Sequence, residues 1–359
     1  MRKSSVSMRR GWQRVALAVC GLWLAGCCAG GGGGSEVRMQ GAGATFPNPL
    51  YQKWFSEYNR ISPGARFDYQ SIGSGGGIKQ ITTRTIDFGG SDAPMTEEEI
   101  RRTRGEVLHI PTALGAVGIT YHVPEVRAEL RLTPEVIAGI YLGRVSRWND
   151  PAIAATNPGL RLPDREITVV YRSDGSGTTF VFTEYLSKIS PEWKQQVGSS
   201  TAVRWPVGIG AKGNEGITGQ IKQTPYAVGY VEHLYAEQNK LPVAAVRNAA
   251  GEFVRPSLDS ITAAAAGAAG AMPEDLRVSI TDAPGETAYP ISSFTYLLVY
   301  RTQRDQAKGK ALVAFLWWAV HEGERYAREM SYAPLPPEMV AKAEAKINSI
   351  TFQGAPLRQ

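Results

Sequence analysis

What the chain has little of narrows it first. Its 359 residues hold three cysteines, Cys20, Cys27 and Cys28, all near the start. The body of the chain therefore has no disulfide framework and no paired-cysteine metal site. The four histidines, His109, His122, His233 and His321, are scattered and form no HExxH, so a zinc-hydrolase motif is missing too. No GxSxG elbow surrounds Ser74, Ser91 or Ser176. Gly73 to Lys79 lacks the Gly-Lys-Ser/Thr of a nucleotide loop. These absences argue against an enzyme.

Basic charge is also scarcer than it looks. The formal net charge is +6, but Arg2, Lys3, Arg9, Arg10 and Arg14 sit in the first 26 residues with no acidic partner. Without them the balance is 6 − 5 = +1. Nucleic-acid binding needs a clustered basic surface on the folded domain, and a basic leader is no evidence for one. Val15 to Leu24 is apolar but too short to span a bilayer, and with the basic residues before it reads as a secretory signal. Leu24-Ala-Gly-Cys27 is similar to a bacterial lipobox. It predicts a signal peptide at 1–26, acylation of Cys27 as a lipid anchor, and a glycine-rich tether at 27–39. The plainer alternative is an ordinary cleaved signal followed by a stray cysteine.

What is present is an ordinary globular composition, 43% hydrophobic and 20% charged, with length for two domains. Apolar residues at 50, 54, 58 and 61, stopped by Pro63-Gly64, predict a helix. Arg66 to Ser71 and Thr85 to Gly89 predict strands. Thr96 with Glu99 has capping-box spacing. Leu108 to Val123 reads as one or two strands, Ala227 to Val231 and Ile291 to Tyr300 as further strands. Thr133-Pro134 opens a helix ending near Leu142-Gly143. The alanine-rich stretch at 257–272 reads as a surface helix, Lys310 to Met330 as one long helix, and 337–347 as a final one. Strand-helix alternation argues for an α/β fold with helix-covered sheets.

The organising stretch is Tyr171-Arg-Ser-Asp-Gly-Ser-Gly-Thr-Thr-Phe180. Glu166 to Val170 before it predicts a strand, and Phe180 to Ser187 after it a helix. A helix start presents unpaired N–H donors and partial positive charge, which suits an anion. Ser176 and Thr178 add hydroxyl donors, and Arg172 adds a planar guanidinium suited to tetrahedral oxyanions. A strand-helix turn also favours Gly, Ser and Thr for its own reasons, so this stretch alone leaves both readings open.

Three other loops share its chemistry: Ala44-Thr45-Phe46, Gly73-Ser74-Gly75 and Ser91-Asp92. Each is small, polar and set at a strand end or helix start, where α/β sheets bind ligands. With Gly41-Ala-Gly-Ala-Thr-Phe-Pro47, Ile72-Gly-Ser-Gly-Gly-Gly77, Asp87-Phe-Gly-Gly-Ser-Asp-Ala-Pro94 and Arg172-Ser-Asp-Gly-Ser-Gly-Thr178 in view, the chain resembles the phosphate-binding proteins of bacterial phosphate ABC transporters. Ile140-Tyr-Leu-Gly143, Trp148, Trp205-Pro206 and Gly229-Tyr-Val-Glu232 extend the resemblance from about Gly41 to the C-terminus.

The resemblance implies a type II periplasmic-binding-protein fold: two lobes, each a mixed sheet flanked by helices, closing on inorganic phosphate. It implies lobe I at 40–119 plus 292–359 and lobe II at 120–291, with crossings near 117–121 and 289–293. It implies phosphate contacts from Ala44, Thr45, Phe46, Ser74, Asp92, Arg172, Ser176, Gly177 and Thr178, with Asp174 paired to Arg172. Two positions depart from the family pattern: Gly75, where many relatives have a second serine, and Tyr171, where some carry a basic residue. The expected partners are phosphate and a membrane permease, with no cofactor, no metal, no nucleic acid, and a monomeric protein outside the cytoplasm.

Asp92 makes chemical sense there. A carboxylate beside an anion repels it unless the ligand brings a proton to donate. Phosphate carries one near neutrality and sulfate does not. Taken without the family, Asp92 reads first as a residue that only caps a loop. The remaining alternatives are an anchored phosphate sensor or adhesin, and a binder of another oxyanion such as sulfate.

Overall fold

The computed structural model describes residues 36–268 and 273–358. Cys27, the leader and most of the expected tether lie outside the described residues. Where description begins, the tether gives way early, because strand Val37–Gly43 starts within it. Glu36–Gln359 forms one compact unit, and within it the chain builds two lobes on a shared sheet.

That sheet has eight strands. Across it run Ala65–Ser71, Val37–Gly43, Phe88–Ser91, Ser292–Tyr300, Val107–His122, Ala227–Glu232, Thr168–Arg172 and Ile209–Ala211. The flanking pairs are parallel and the three central pairings antiparallel. Leu108 to Val123, read as one or two strands, is a single sixteen-residue strand buried along nearly its whole length. Its first part pairs with Ser292–Tyr300 up to Ala116, and from Val117 it pairs with Ala227–Glu232. The two lobes therefore share one strand. A run of apolar and β-branched residues this long is stable only with partners along both halves.

Other expectations shift for identifiable reasons. The strand expected at 166–170 lies at Thr168–Arg172, in register with Ala227 and Ala211 on its neighbours. Pairing moves it two residues and places Arg172 on the strand itself. The helix after it begins at Gly177 rather than Phe180, capped by Ser176, whose Oγ accepts from Thr179 N–H. The strand expected at 85–89 lies at Phe88–Ser91.

The single helix expected over 310–330 is two, Gln306–Ala319 and Glu324–Glu329. At the break Gly323 N–H bonds back to Trp318, and the Gly323 carbonyl accepts from Trp54 Nε1 at 2.8 Å. The alanine-rich helix, Leu258–Ala268, buries Ile261, Ala264 and Ala265 and exposes Ala266. The capping box at Thr96 and Glu99 forms as its spacing predicts.

Each lobe has an aromatic core. In the first, Phe55, Tyr58, Phe67, Phe88 and Phe315 stack or meet edge-on, with Phe67 and Phe315 centroids 4.5 Å apart. In the second, Tyr141, Phe182, Trp205 and Tyr230 do the same. Such pairs add about 1 kcal/mol each beyond their buried area. They hold the strand ends, and so the loops that follow them, in fixed positions.

Candidate functional site

Helix starts meet between the lobes. Helix Asn48–Ile61 follows Thr45 and Phe46. The glycine loop at 73–77 is itself the first turn of helix Ser74–Thr83. From the second lobe comes helix Gly177–Ile189. A backbone bond from Gly75 N–H to the Gly175 carbonyl, 2.9 Å, ties the two lobes there.

The contact also explains the Gly75 departure. A β-carbon on Gly75 would stand 3.0 Å from the Gly175 Cα, so a larger residue would press on the opposite lobe. Gly177 is tighter still. A β-carbon there would collide with Ser74 Oγ and the Asp92 carboxylate. Glycine lets the helix start approach the first lobe this closely.

The structure brings Thr45, Phe46, Ser74, Asp92, Arg172, Ser176, Gly177 and Thr178 together. None is more than 3% exposed where a value is resolved, so the cluster is shut off from bulk water in this conformation. Ala44 is the exception in its chemistry. Its N–H donates to Gly90 and its carbonyl accepts from Tyr69. Both backbone groups are engaged, and Ala44 is left to place Thr45 and Phe46 rather than to donate.

Arg172 and Asp174 form a two-pronged pair, Nε to Oδ1 at 2.7 Å and Nη2 to Oδ2 at 2.6 Å. Burial alone would raise the Asp174 pKa. The Arg172 bond and charge, with a further bond from Gly213 N–H, more than reverse this and leave it lowered. The pairing aims the third guanidinium nitrogen, Nη1, at Thr178 Oγ1, 3.3 Å away. Arg172 N–H is held by Tyr230, whose hydroxyl also meets Thr179. The guanidinium is thus held between Asp174 and Thr178, with its charge kept inside the cleft.

Asp92 faces this guanidinium from the first lobe. Its Oδ1 accepts from Thr295 Oγ1 at 2.8 Å and its Oδ2 from Ser74 Oγ at 3.3 Å. Burial pushes its pKa up to about 7, against the pull of Thr295, Arg172 and Ser74. A carboxyl poised there can accept a proton-bearing ligand and penalises one without. Among the described residues no group of three or more potential metal ligands gathers.

Four residues that motif reading assigned no role complete the arrangement. Asn214 bonds Thr45 and Thr178. Thr295 bonds Asp92. Tyr235 donates to the Thr45 carbonyl at 2.6 Å. Glu232 is fully buried, and burial raises its pKa well above the carboxylate range. Their one sequence signal is a polar side chain inside an otherwise apolar or glycine-rich run.

A family model described as a PBP superfamily domain matches residues 31–322. The chain is 46% identical to the phosphate-binding protein PstS of Xylella fastidiosa (strain 9a5c), over 86% of this chain and 85% of that one. It is 37% identical to the protein of the same name from Methanocaldococcus jannaschii, over 94% of each.

Among solved structures, PfluDING is described as a high-affinity periplasmic phosphate-binding protein bound with phosphate at pH 8.5. It superposes with a TM-score of 0.68 at 20% identity, covering 86% of this chain and 93% of its own. The phosphate-binding protein of Stenotrophomonas maltophilia gives 0.66 at 19%, with the same coverage. At these identities the structural likeness speaks for the fold.

Proposed function

The chain belongs to the PBP superfamily and, within it, to the PstS family of phosphate-binding proteins; from that premise we propose that it captures inorganic phosphate outside the cytoplasm and delivers it to an ABC transporter permease. The observation that carries this reading is the buried cluster itself. Hydroxyl and N–H donors, one charge-paired guanidinium and one carboxylate of raised pKa converge between two lobes.

The roles divide by chemistry. The helix start at Gly177 and Thr178 presents N–H groups without intrahelical acceptors. Ser176 Oγ accepts from Thr179 N–H, leaving its proton to give. Ser74, Thr45 and Thr178 add hydroxyls, Phe46 a backbone donor, and Arg172 the balancing charge. Asp92 accepts the proton that phosphate carries. Sulfate offers Asp92 no proton, and a site built on such a bond can reject the analogue lacking it by ~10⁴-fold or more. The lobes, 40–119 with 292–359 and 120–291, close by bending where the shared strand changes partner.

We read the protein as a binder and not as an enzyme, because its groups are arranged to hold an oxyanion. Anchoring through a lipidated Cys27 and a monomeric state complete the proposal, the first supported by the lipobox-like sequence. Among the described residues no helix is long and apolar enough to cross a membrane.

Calorimetry with phosphate and with sulfate at pH 8 tests the reading. Phosphate should bind one-to-one and sulfate at least a thousandfold more weakly, an estimate below the ~10⁴-fold such sites reach. Tight sulfate binding without heat from phosphate would overturn it. Turnover of a phosphate ester would overturn the assignment as a binder.

A further inference from the structure

We propose that Asn214 sets the hydrogen-bond polarity of the site, making the Thr45 and Thr178 hydroxyls obligate donors toward phosphate once the lobes close. The inference rests on the phosphate-binding reading and concerns how that site chooses the orientation of its ligand.

Asn214 is fully buried in the first turn of helix Gly213–Gln223. Its Oδ1 accepts from Glu232 N–H at 3.1 Å. A backbone N–H can only donate, so this contact decides which way the amide faces. The NH₂ group must then point to the other side, where Thr45 Oγ1 lies at 2.8 Å and Thr178 Oγ1 at 3.3 Å. Both hydroxyls therefore accept from Asn214.

Each also accepts a second bond. Thr45 Oγ1 takes the Asn214 backbone N–H at 3.3 Å. Thr178 Oγ1 takes Arg172 Nη1 at 3.3 Å. A hydroxyl has two lone pairs and one proton. With two donors aimed at each oxygen, only the proton is left to offer. Neither threonine can accept a bond from the ligand.

This constrains phosphate. A P–OH group turned toward Thr45 or Thr178 would set donor against donor, and leave a buried polar group unpaired. The ligand must direct bare oxygens at the threonines and its proton at Asp92. Asn214 thus supports the choice that Asp92 makes without touching the anion's proton itself. The device depends on closure as well. Thr45 belongs to the first lobe, and Asn214, Thr178 and Arg172 to the second. When the lobes part, Thr45 loses both donors and its hydroxyl is free to rotate.

The test is a double-mutant cycle on phosphate affinity with Asn214→Ala and Thr45→Val, each variant first shown to melt cooperatively. Each single change should weaken binding by roughly 10- to 100-fold, the range for a bond to a charged group. The double variant should fall at least about threefold short of the product of the two single losses, because Asn214 acts partly through Thr45 and partly through Thr178. Thr45→Ser should retain affinity within about threefold, since it keeps the hydroxyl.

If Asn214→Ala does not fold, the near-isosteric Asn214→Asp takes its place. Its carboxylate draws the Thr45 proton away from the ligand, so Thr45→Val should then change the Kd by less than about threefold. Losses that multiply independently in either cycle would overturn the inference, as would Asn214→Ala binding within twofold of wild type. Absence of phosphate binding by the wild type would instead remove the reading beneath it.

Discussion

Thr295 donates its hydroxyl to Asp92 Oδ1 at 2.8 Å across 203 positions of sequence. The bond comes from the strand that returns late in the chain and pairs beside Phe88–Ser91. It occupies one carboxylate oxygen from behind and so fixes where the other faces. In the proposed function, selectivity depends on that orientation.

Asp92→Asn should therefore reduce the preference for phosphate over sulfate by at least tenfold, because an amide can donate to sulfate where a carboxylate repels it. Thr295→Val should weaken phosphate binding by about 10-fold, through the loss of a charge-assisted bond, while leaving some preference intact. Competition calorimetry at pH 8 measures both. An unchanged preference in Asp92→Asn would show that selectivity lies elsewhere.

The pH dependence of the ligand-free protein should carry the mark of Asp92. Its pKa is raised from 3.8 to about 7 in the folded state. Between these values the native protein holds a proton that the unfolded chain has released. Stability from this group is complete below about pH 4 and is lost as pH rises through 7. Glu232, also raised by burial, acts in the same direction. The difference in Tm between wild type and Asp92→Asn should shrink from pH 4 to 7 and level off above 8. A flat difference across that window contradicts the assignment.

Gly177→Ala adds one methyl where Ser74 Oγ and the Asp92 carboxylate already lie. Closing over that contact costs roughly 1–3 kcal/mol, as overpacking does. Phosphate affinity should fall roughly 10- to 100-fold at that cost. The ligand-free protein can relieve the contact by opening, so its Tm should move little. Titration beside a melting curve separates the two effects.

Arg172→Lys keeps the charge and loses the fork. An ammonium cannot bond both Asp174 oxygens and still reach Thr178 as the guanidinium does. Phosphate affinity should drop by about tenfold or more, the scale of one charge-assisted bond. Arg172→Met should cost more, because it also strands Asp174. Isothermal titration of both variants orders them.

Much of this was legible residue by residue. The capping box at Thr96, the helix marked by apolar residues at 50, 54, 58 and 61, and the small polar loops at strand ends follow local rules. Neighbouring residues decide them. Local pattern puts the strand at Thr168–Arg172 two residues early, because its register belongs to Ala227 and Ala211 on other strands. Local pattern does not reveal the break at Gly323, because its carbonyl partner, Trp54, is 269 positions away. Thr295 and Glu232 sit in strand runs that read as apolar, and Asn214 in a glycine-rich, polar stretch.

The amino-acid sequence by itself determined which chemistry is available: the guanidinium at 172, the carboxylate at 92, and hydroxyls at helix starts, each on a locally encoded turn. Tertiary structure decided what those groups can do. Only packing buries Asp92 and raises its pKa, and only closure sets Asn214 against Thr45. Burial and hydrogen-bond direction are properties of the neighbours a side chain meets. In this fold those neighbours come from strands and helices far apart in the chain.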